Sequence, residues 1–327
     1  MKFSPDYTLS ILTEEEFGEK FPTMSQQLAQ CRKEGTFSGF DGKPLYYEYF
    51  EAQDSHGSVV IVHGLSEFTA KYHEFAWYLL NQGYDVFLYD QRCHGRSCRL
   101  TKRSDMIHVG AFSHYRKDLD LFVRNVVRKV THKPLYLYAH SMGGAVAAQY
   151  LAHHPEIFSR AVLSAPMFEP YTGGVPIPVA RHGLWFTLLL GRGKKKFSGA
   201  DEFDPDYPFE RSNDESRARF QKNMELRLAN PCYRTTPLSV RWVQQSVSLR
   251  RRLTSPRFLQ KIQTPILLLS AELDGVVNPA AHKQFAENCP VCCLVVMQKA
   301  KHAMLCGTDS TIRSHVQMTL DHFRGDF

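Results

Sequence analysis

The residues best placed to do chemistry lie in Leu137–Gly144, which reads LYAHSMGG. The apolar run PLYLYAH leads into Ser141, and Met142-Gly143-Gly144 opens a stretch of small residues. A serine on such a strand-to-helix turn is a nucleophile elbow. The turn pushes the hydroxyl into the open at a sheet edge, and small neighbours let strand and helix close up. The usual pattern is G-x-S-x-G; here Ala139 replaces the first Gly, adding one methyl group. A Ser N-cap would give the same short pattern, so the strand–turn–helix context carries the reading. A hydroxyl needs a base to take its proton, and behind such an elbow an acid and then a histidine follow in chain order. Asp274, ending PILLLSAELD, and His302, following CCLVVMQKAK, stand in that order, each behind an apolar run. Asp274 would orient the imidazole and support its cation while His302 relays the proton; Glu272 is the rival acid. The developing oxyanion needs N–H donors. Met142 supplies one, and Leu65, in the loop after VIVHG, is the candidate for the other. His63, Gly64, His140, Trp185 and Phe186 are the candidate substrate contacts, although His63 reads better as a loop-packing residue than as a catalytic one.

Stepping the chain through its hydropathy gives the elements that must position these residues. SVVIVHG, YDVFLYD, PLYLYAH and RAVLSAP read as buried strands, with PLYYEYFEAQ before them. Between them, Glu74–Gly83, His114–Val130 and Met142–His154 have helical spacing. The first forty residues are only weakly periodic. From Met167 to about Arg250 the rhythm breaks into Pro, Gly, charge and helix formers. It then resumes with PILLLSAELD, a helix near Asn278–Cys289, CCLVVM and a closing helix near Asp309–Phe323. Alternating strands and helices imply a mostly parallel sheet with right-handed crossovers. The predicted organisation is therefore an α/β core of residues 1–166 and 251–327, with residues 167–250 inserted as a helical cap. The cap would overhang the carboxyl edge of the sheet, where such folds place ligands.

His63-Gly64-Leu65-Ser66-Glu67, the turn Asp90-Gln91-Arg92-Cys93-His94-Gly95-Arg96-Ser97, Ala139–Gly144, Ala165-Pro166-Met167-Phe168, Asp274 and His302 together resemble the α/β-hydrolase superfamily. The likeness is to its lysophospholipase and monoacylglycerol lipase branch, in particular the bacterial lysophospholipases associated with the inner membrane. It spans roughly Phe40 to Phe327. It implies the α/β-hydrolase fold, no cofactor, and a monoacylated lipid ester as substrate. One departure is Cys93, where the family's D-x-R-G-x-G-x-S turn has Gly. Ser141, His302 and Asp274 predict a serine hydrolase of carboxylic esters working through an acyl-enzyme. The alternatives are a short-chain carboxylesterase, a proline iminopeptidase and a non-catalytic ligand receptor. Iminopeptidases usually carry H-G-G-P-G where this chain has His63–Glu67.

Composition narrows the partners. Hydrophobic residues at 43% and charged residues at 22% exclude a disordered chain. The net charge of +7 suits an anionic surface without demanding nucleic acid, and the basic runs lack the interleaved aromatics of a nucleic-acid platform. Ala180–Lys196, ARHGLWFTLLLGRGKKK, joins an apolar patch to Arg192 and Lys194–Lys196. Read one way, it covers an acyl pocket and touches anionic lipid; read the other, it is a packed helix followed by a solvated basic loop. Arg250-Arg251-Arg252 reads as solvated. Cys289, Cys292 and Cys293 offer one C-x-x-C spacing without the second pair zinc wants, so no metal is expected. Cys292 and Cys293 are placed in a buried strand. The first twenty residues lack the apolar core of a secretory signal. The expected location is thus the cytoplasm, peripheral on the inner face of the membrane.

Overall fold

The apolar runs assemble into one sheet because each is apolar on both faces. The computed structural model describes residues 1–171, 175 and 177–326; residues 172–174 and 176 of the expected insertion, and residue 327 of the expected core, lie outside the described residues. The strands are β1 (Lys33–Ser38), β2 (Pro44–Phe50), β3 (Gly57–Val62), β4 (Tyr84–Tyr89), β5 (Leu135–His140), β6 (Arg160–Ser164), β7 (Ile266–Ala271) and β8 (Cys292–Met297), in the order β1-β2-β4-β3-β5-β6-β7-β8. β2 pairs antiparallel with β1 and β4, and every other pairing is parallel. In β3 the two-residue period of a strand sends Val60 and Val62 into one core and Val59 and Ile61 into the other.

The helices are α1 (Glu14–Cys31), α2 (His73–Asn81), α3 (Ser113–Phe122), α4 (Arg128–Val130), α5 (Met142–Leu151), α6 (Ile177–Leu189), α7 (Arg217–Ala229), α8 (Val240–Val247), α9 (Arg250–Leu253), α10 (Pro256–Leu259), α11 (Pro279–Asn288) and α12 (Asp309–Arg324). α1, α2 and α12 cover one face of the sheet; α3, α5 and α11 contribute to the core on the other. α6, α7 and α8 lie between β6 and β7, and that insertion adds no strand to the sheet among the described residues.

Three local readings change. The weakly periodic start holds an 18-residue helix, α1, and then β1. A capping box starts α1: Thr13 accepts from the Glu16 N–H, and Glu16 accepts from the Thr13 N–H. The helix expected over His114–Val130 is interrupted by a π turn at Val123–Val127, which leaves Val123, Val126 and Val127 all buried. β8 is the edge strand, so Cys293 is exposed and Cys292 half-buried rather than enclosed; the sheet's last strand has only one neighbour to cover it.

Buried histidines tie the sheet to its connections. His282 on α11 has Nε2 2.8 Å from the Pro166 carbonyl and Nδ1 2.8 Å from Ser270 Oγ. A carbonyl can only accept, so Nε2 carries the proton and Nδ1 accepts from the hydroxyl. Burial pushes this imidazole down to about 4, against about 6.5 in the unfolded chain. The unfolded state therefore binds the extra proton between those values. The stability that neutral His282 contributes is complete above pH 6.5 and drains away as pH falls towards 4. Urea unfolding across pH 7 to 5 should show stability falling with acid, and His282→Gln should remove about one proton from the uptake on unfolding. An unchanged slope in the variant would exclude His282 as a source.

Candidate active site

Ser141 sits between β5 and α5 with φ 52° and ψ −119°, a conformation that few non-glycine residues adopt. What holds it there is lack of room. A Cβ on Gly143 would stand 2.2 Å from the Val62 carbonyl, and one on Gly144 2.5 Å from Pro166 Cβ. The Ser141 N–H donates to the Ser164 carbonyl, while the Ser141 carbonyl accepts from the Met167 and Gly144 N–H groups. The turn is thereby fixed from β6 and its following loop as well as from its own helix.

His302, in the loop after β8, brings Nε2 to 2.9 Å from Ser141 Oγ and Nδ1 to 2.8 Å from Asp274 Oδ2. Asp274 Oδ1 accepts from the Val276 and Val277 N–H groups at 2.8 and 2.9 Å. All three side chains are buried. Burial raises the Asp274 carboxyl, but the bond to His302, that ring's charge and the two N–H groups together hold it below the usual carboxylate range. The rival acid, Glu272, is exposed and accepts from the Lys299 N–H instead. Chemically, the arrangement can pass a proton from a serine hydroxyl to an imidazole whose cation has a counter-ion.

Leu65 lies beside Ser141, and Met142 opens the helix behind it. The residue that shapes the Leu65 loop is Glu67, quoted in the sequence motif but given no role there. Its buried carboxylate accepts from the Gly64 N–H at 2.6 Å, Tyr72 Oη at 2.6 Å and Lys71 Nζ at 2.7 Å. Burial raises this carboxyl, and the Lys71 charge with the hydrogen bonds from Lys71 and Tyr72 outweighs it, so the net displacement is well downward. Only the four-residue Glu67–Lys71 spacing hinted at the pair.

The other candidates separate. His140 lines the cavity with Ser141, its ring centroid 4.9 Å from that of His302. Its Nδ1 lies 3.1 Å from the Ser164 carbonyl, and burial pushes it down to about 4. Gly64 makes the tight exit from β3: a Cβ there would meet Glu67 Oε2 at 2.8 Å. The His63 ring is taken up by its own loops; its Nε2 accepts from the Gln91 N–H at 2.9 Å and its Nδ1 meets the Gly64 carbonyl at 2.7 Å. It locks two loops together and lines neither cavity beside Ser141. Trp185 and Phe186 also fall outside those cavities. They are 57% and 61% exposed on the outer face of α6, whereas Gly183, Leu184 and Thr187 face inward. Helical spacing sends neighbouring residues to different faces, and the apolar stretch was too uniform to say which.

Ser141, Leu65 and Val276 border two cavities at once. One, of about 1190 Å³, is lined largely by apolar groups, including Met167, Leu184, Leu238, Val240 and Trp242. The other, of about 390 Å³, carries polar and charged groups from the insertion, among them Asp214, Asn223 and Arg227. No cluster of three or more side chains able to hold a metal occurs among the described residues.

A family model named Hydrolase_4 and described as serine aminopeptidase, S33, matches residues 53–309. The chain belongs to this family. Lysophospholipase L2 of Escherichia coli strain K12 is 32% identical over 257 residues, 78% of this chain and 75% of that relative. The monoacylglycerol lipase of Mycolicibacterium smegmatis is 30% identical over 154 residues, 47% of this chain and 53% of its own. Among solved structures, a soluble variant of the Saccharomyces cerevisiae monoglyceride lipase superposes with a TM-score of 0.69 at 20% identity, covering 88% of this chain and 93% of that one. A Bacillus coagulans carboxyl esterase gives 0.72 at 17% identity, covering 90% and 98%. The family member described here is an α/β hydrolase of the lysophospholipase and monoacylglycerol lipase branch, an ester-hydrolysing group.

Asp274→Asn should lower kcat for a soluble ester by about 10⁴-fold, as the analogous change does in a serine protease. Glu272→Gln should stay within about twofold, since its partner is the Lys299 backbone. Steady-state turnover of p-nitrophenyl butyrate checks both, and a larger loss in Glu272→Gln would exchange their roles.

Proposed function

We propose that this hydrolase cleaves the carboxylic ester of a monoacylated lipid, a lysophospholipid or a monoacylglycerol, through an acyl-enzyme on Ser141. The observation that carries this reading is the Ser141–His302–Asp274 chain of hydrogen bonds standing where an apolar and a polar cavity meet. An ester with one long apolar arm and one polar arm has its carbonyl at the same junction. His302 Nε2 takes the proton as Ser141 Oγ attacks, and the Leu65 and Met142 N–H groups receive the oxyanion. His302 then protonates the leaving alcohol, and a water it activates releases the fatty acid.

The short-chain carboxylesterase reading leaves a cavity of about 1190 Å³ with no occupant. The family description favours an aminopeptidase as the second reading. Against it stand the loop His63–Glu67, which is not H-G-G-P-G, and that same apolar cavity. Hydrolysis of lysophosphatidylethanolamine, monoacylglycerol, p-nitrophenyl butyrate and an aminoacyl amide separates the three. Ser141→Ala should abolish ester hydrolysis and fluorophosphonate labelling while the circular dichroism stays native; labelling retained at another residue would overturn the assignment.

Residues 167–250 act in this reading as a cap that also meets the lipid surface. α6 carries apolar residues on both sides: its inner side lines the apolar cavity, and its outer side exposes Val179, Trp185, Phe186 and Leu189, with Leu190 exposed just past its end. A helix apolar all round is expected to be buried on every side. Arg192, Lys194 and Lys195 are exposed just beyond its end. Lys196 differs from its neighbours, because Glu202 holds its Nζ at 2.6 Å. No described helix is long and apolar enough to cross a membrane, so contact from one side is the form this reading takes. Trp185→Ser with Phe186→Ser should weaken co-sedimentation with vesicles at any salt. Lys194→Gln with Lys195→Gln should weaken it on anionic vesicles at low salt, where each charge adds about 1 kcal/mol. Unchanged sedimentation in both variants would remove membrane contact from the reading.

A further inference from the structure

The polar cavity contains a cation, Arg227, that no described carboxylate meets at ion-pair distance. α7 turns Phe220, Asn223, Met224 and Arg227 towards it, the spacing of one helical face. Arg227 Nη2 donates to the Ser66 carbonyl at 2.6 Å, and the guanidinium stands 5.9 Å from the Phe68 ring centroid. Among the described residues no carboxylate reaches it at ion-pair distance. Glu67 and Asp214 act on it from further away. Glu67 is already engaged by Gly64, Lys71 and Tyr72. Burial raises the Asp214 carboxyl, and Lys71 and Arg227 act against that rise. Burial likewise disfavours the charged form of Arg227. Arginine cannot escape by losing its proton, and the guanidinium donors not used on Ser66 are left for a ligand or water.

Resting on the proposed ester hydrolysis at Ser141, we infer that Arg227 forms a subsite for the phosphodiester of a lysophospholipid headgroup. A planar guanidinium with free donors is complementary to phosphate oxygens. A monoacylglycerol, whose headgroup is neutral, leaves those donors unanswered. The outer part of the cavity carries Asp201 and Asp204, exposed and in no ion pair among the described residues. Their carboxylates suit the cationic end of a zwitterionic headgroup. Arg227 is thus the specificity-determining residue that separates a phosphate-bearing monoacyl lipid from a neutral one.

The test compares kcat/KM for lysophosphatidylethanolamine and for monoacylglycerol of the same acyl chain. Arg227→Gln should lower the ratio of the two about ten- to a hundredfold, mostly through KM, the range expected for charge-assisted hydrogen bonds. Arg227→Lys should keep part of it. The Ser66 contact that Arg227 also makes would affect both substrates alike, so it cancels in the ratio. Glycerophosphoethanolamine should inhibit p-nitrophenyl butyrate hydrolysis by the wild type and inhibit Arg227→Gln more weakly. An unchanged ratio, with equal inhibition of both proteins, would overturn the subsite. So would a wild-type enzyme that cleaves monoacylglycerol but not lysophosphatidylethanolamine, although ester hydrolysis would then stand. Loss of fluorophosphonate labelling and of all ester turnover in the wild type would instead remove the reading on which the subsite rests.

Discussion

The close approach of β5 and α5 at Ser141 is the constraint from which the site follows. A non-glycine residue at φ 52° and ψ −119° is strained, by an amount on the order of 1–3 kcal/mol. It persists because the Ser141 carbonyl and N–H are engaged on both sides and because Gly143 and Gly144 leave no slack against Val62 and Pro166. Relaxing the turn would require β3, β6 and α5 to separate, and these are the middle of the sheet. The strain is therefore held by the bulk of the core. This is why the hydroxyl can stand at a fixed height over the carboxyl edge, within reach of a histidine delivered by the other end of the sheet. A loop serine would have no comparable support.

The same edge collects charge that water would normally solvate. Buried Glu67 answers three donors, and one of them is the Gly64 N–H of the loop that carries Leu65. His63 and Asp90 perform similar work behind it: Asp90 accepts from the Thr69 and Arg96 N–H groups at 2.8 and 2.7 Å. In that turn Cys93 adopts φ 63° and Gly95 φ 49°. The left-handed backbone explains why glycine is usual at the Cys93 position, and the turn keeps its shape with cysteine there. Arg92, paired with Asp118 at 2.6 Å in the core, holds the turn from below. Loops on this side of the sheet are thus positioned by buried hydrogen bonds to charged groups, whose removal would leave unpaired polar atoms out of reach of water.

Much of this was legible before any coordinates, and the reason is physical. Strands buried on both faces write themselves as continuous apolar runs, so β3 to β7 and the order of Ser141, Asp274 and His302 could be read directly. α1 could not, because its core-facing residues Phe17, Met24, Leu28 and Cys31 are few among polar ones. The Thr13–Glu16 capping box was the signal available, and hydropathy does not register it. β8 misled for the opposite reason: an edge strand can be as apolar as a central one. Trp185 and Phe186 were assigned to substrate because an apolar helix does not say which of its faces is inside. Arg227 left no local mark at all. The role proposed for it comes from α7 and the loop after β3 meeting beside one cavity, which no short window of sequence contains.

The insertion gives the two sides of Ser141 different chemistry, and its helices divide the work. α6 and α8 wall the large cavity with Leu184, Val240, Val243 and Val247, which join the small apolar cluster around them. α7 faces the smaller cavity with Asn223 and Arg227. The core supplies the same Leu65, Ser141 and Val276 to both. An amphiphile lying across that junction buries its apolar arm for a gain of roughly 25 cal/mol per Å². That gain does not discriminate between headgroups, since it is the same for any lipid with the same acyl chain. Discrimination has to arise on the polar side, where an unmatched charge is costly and a matched one is worth far more than in water. On the proposed reading, affinity and selectivity are set by different helices of one insertion, and changes on α6 or α8 should leave untouched the headgroup preference proposed for α7.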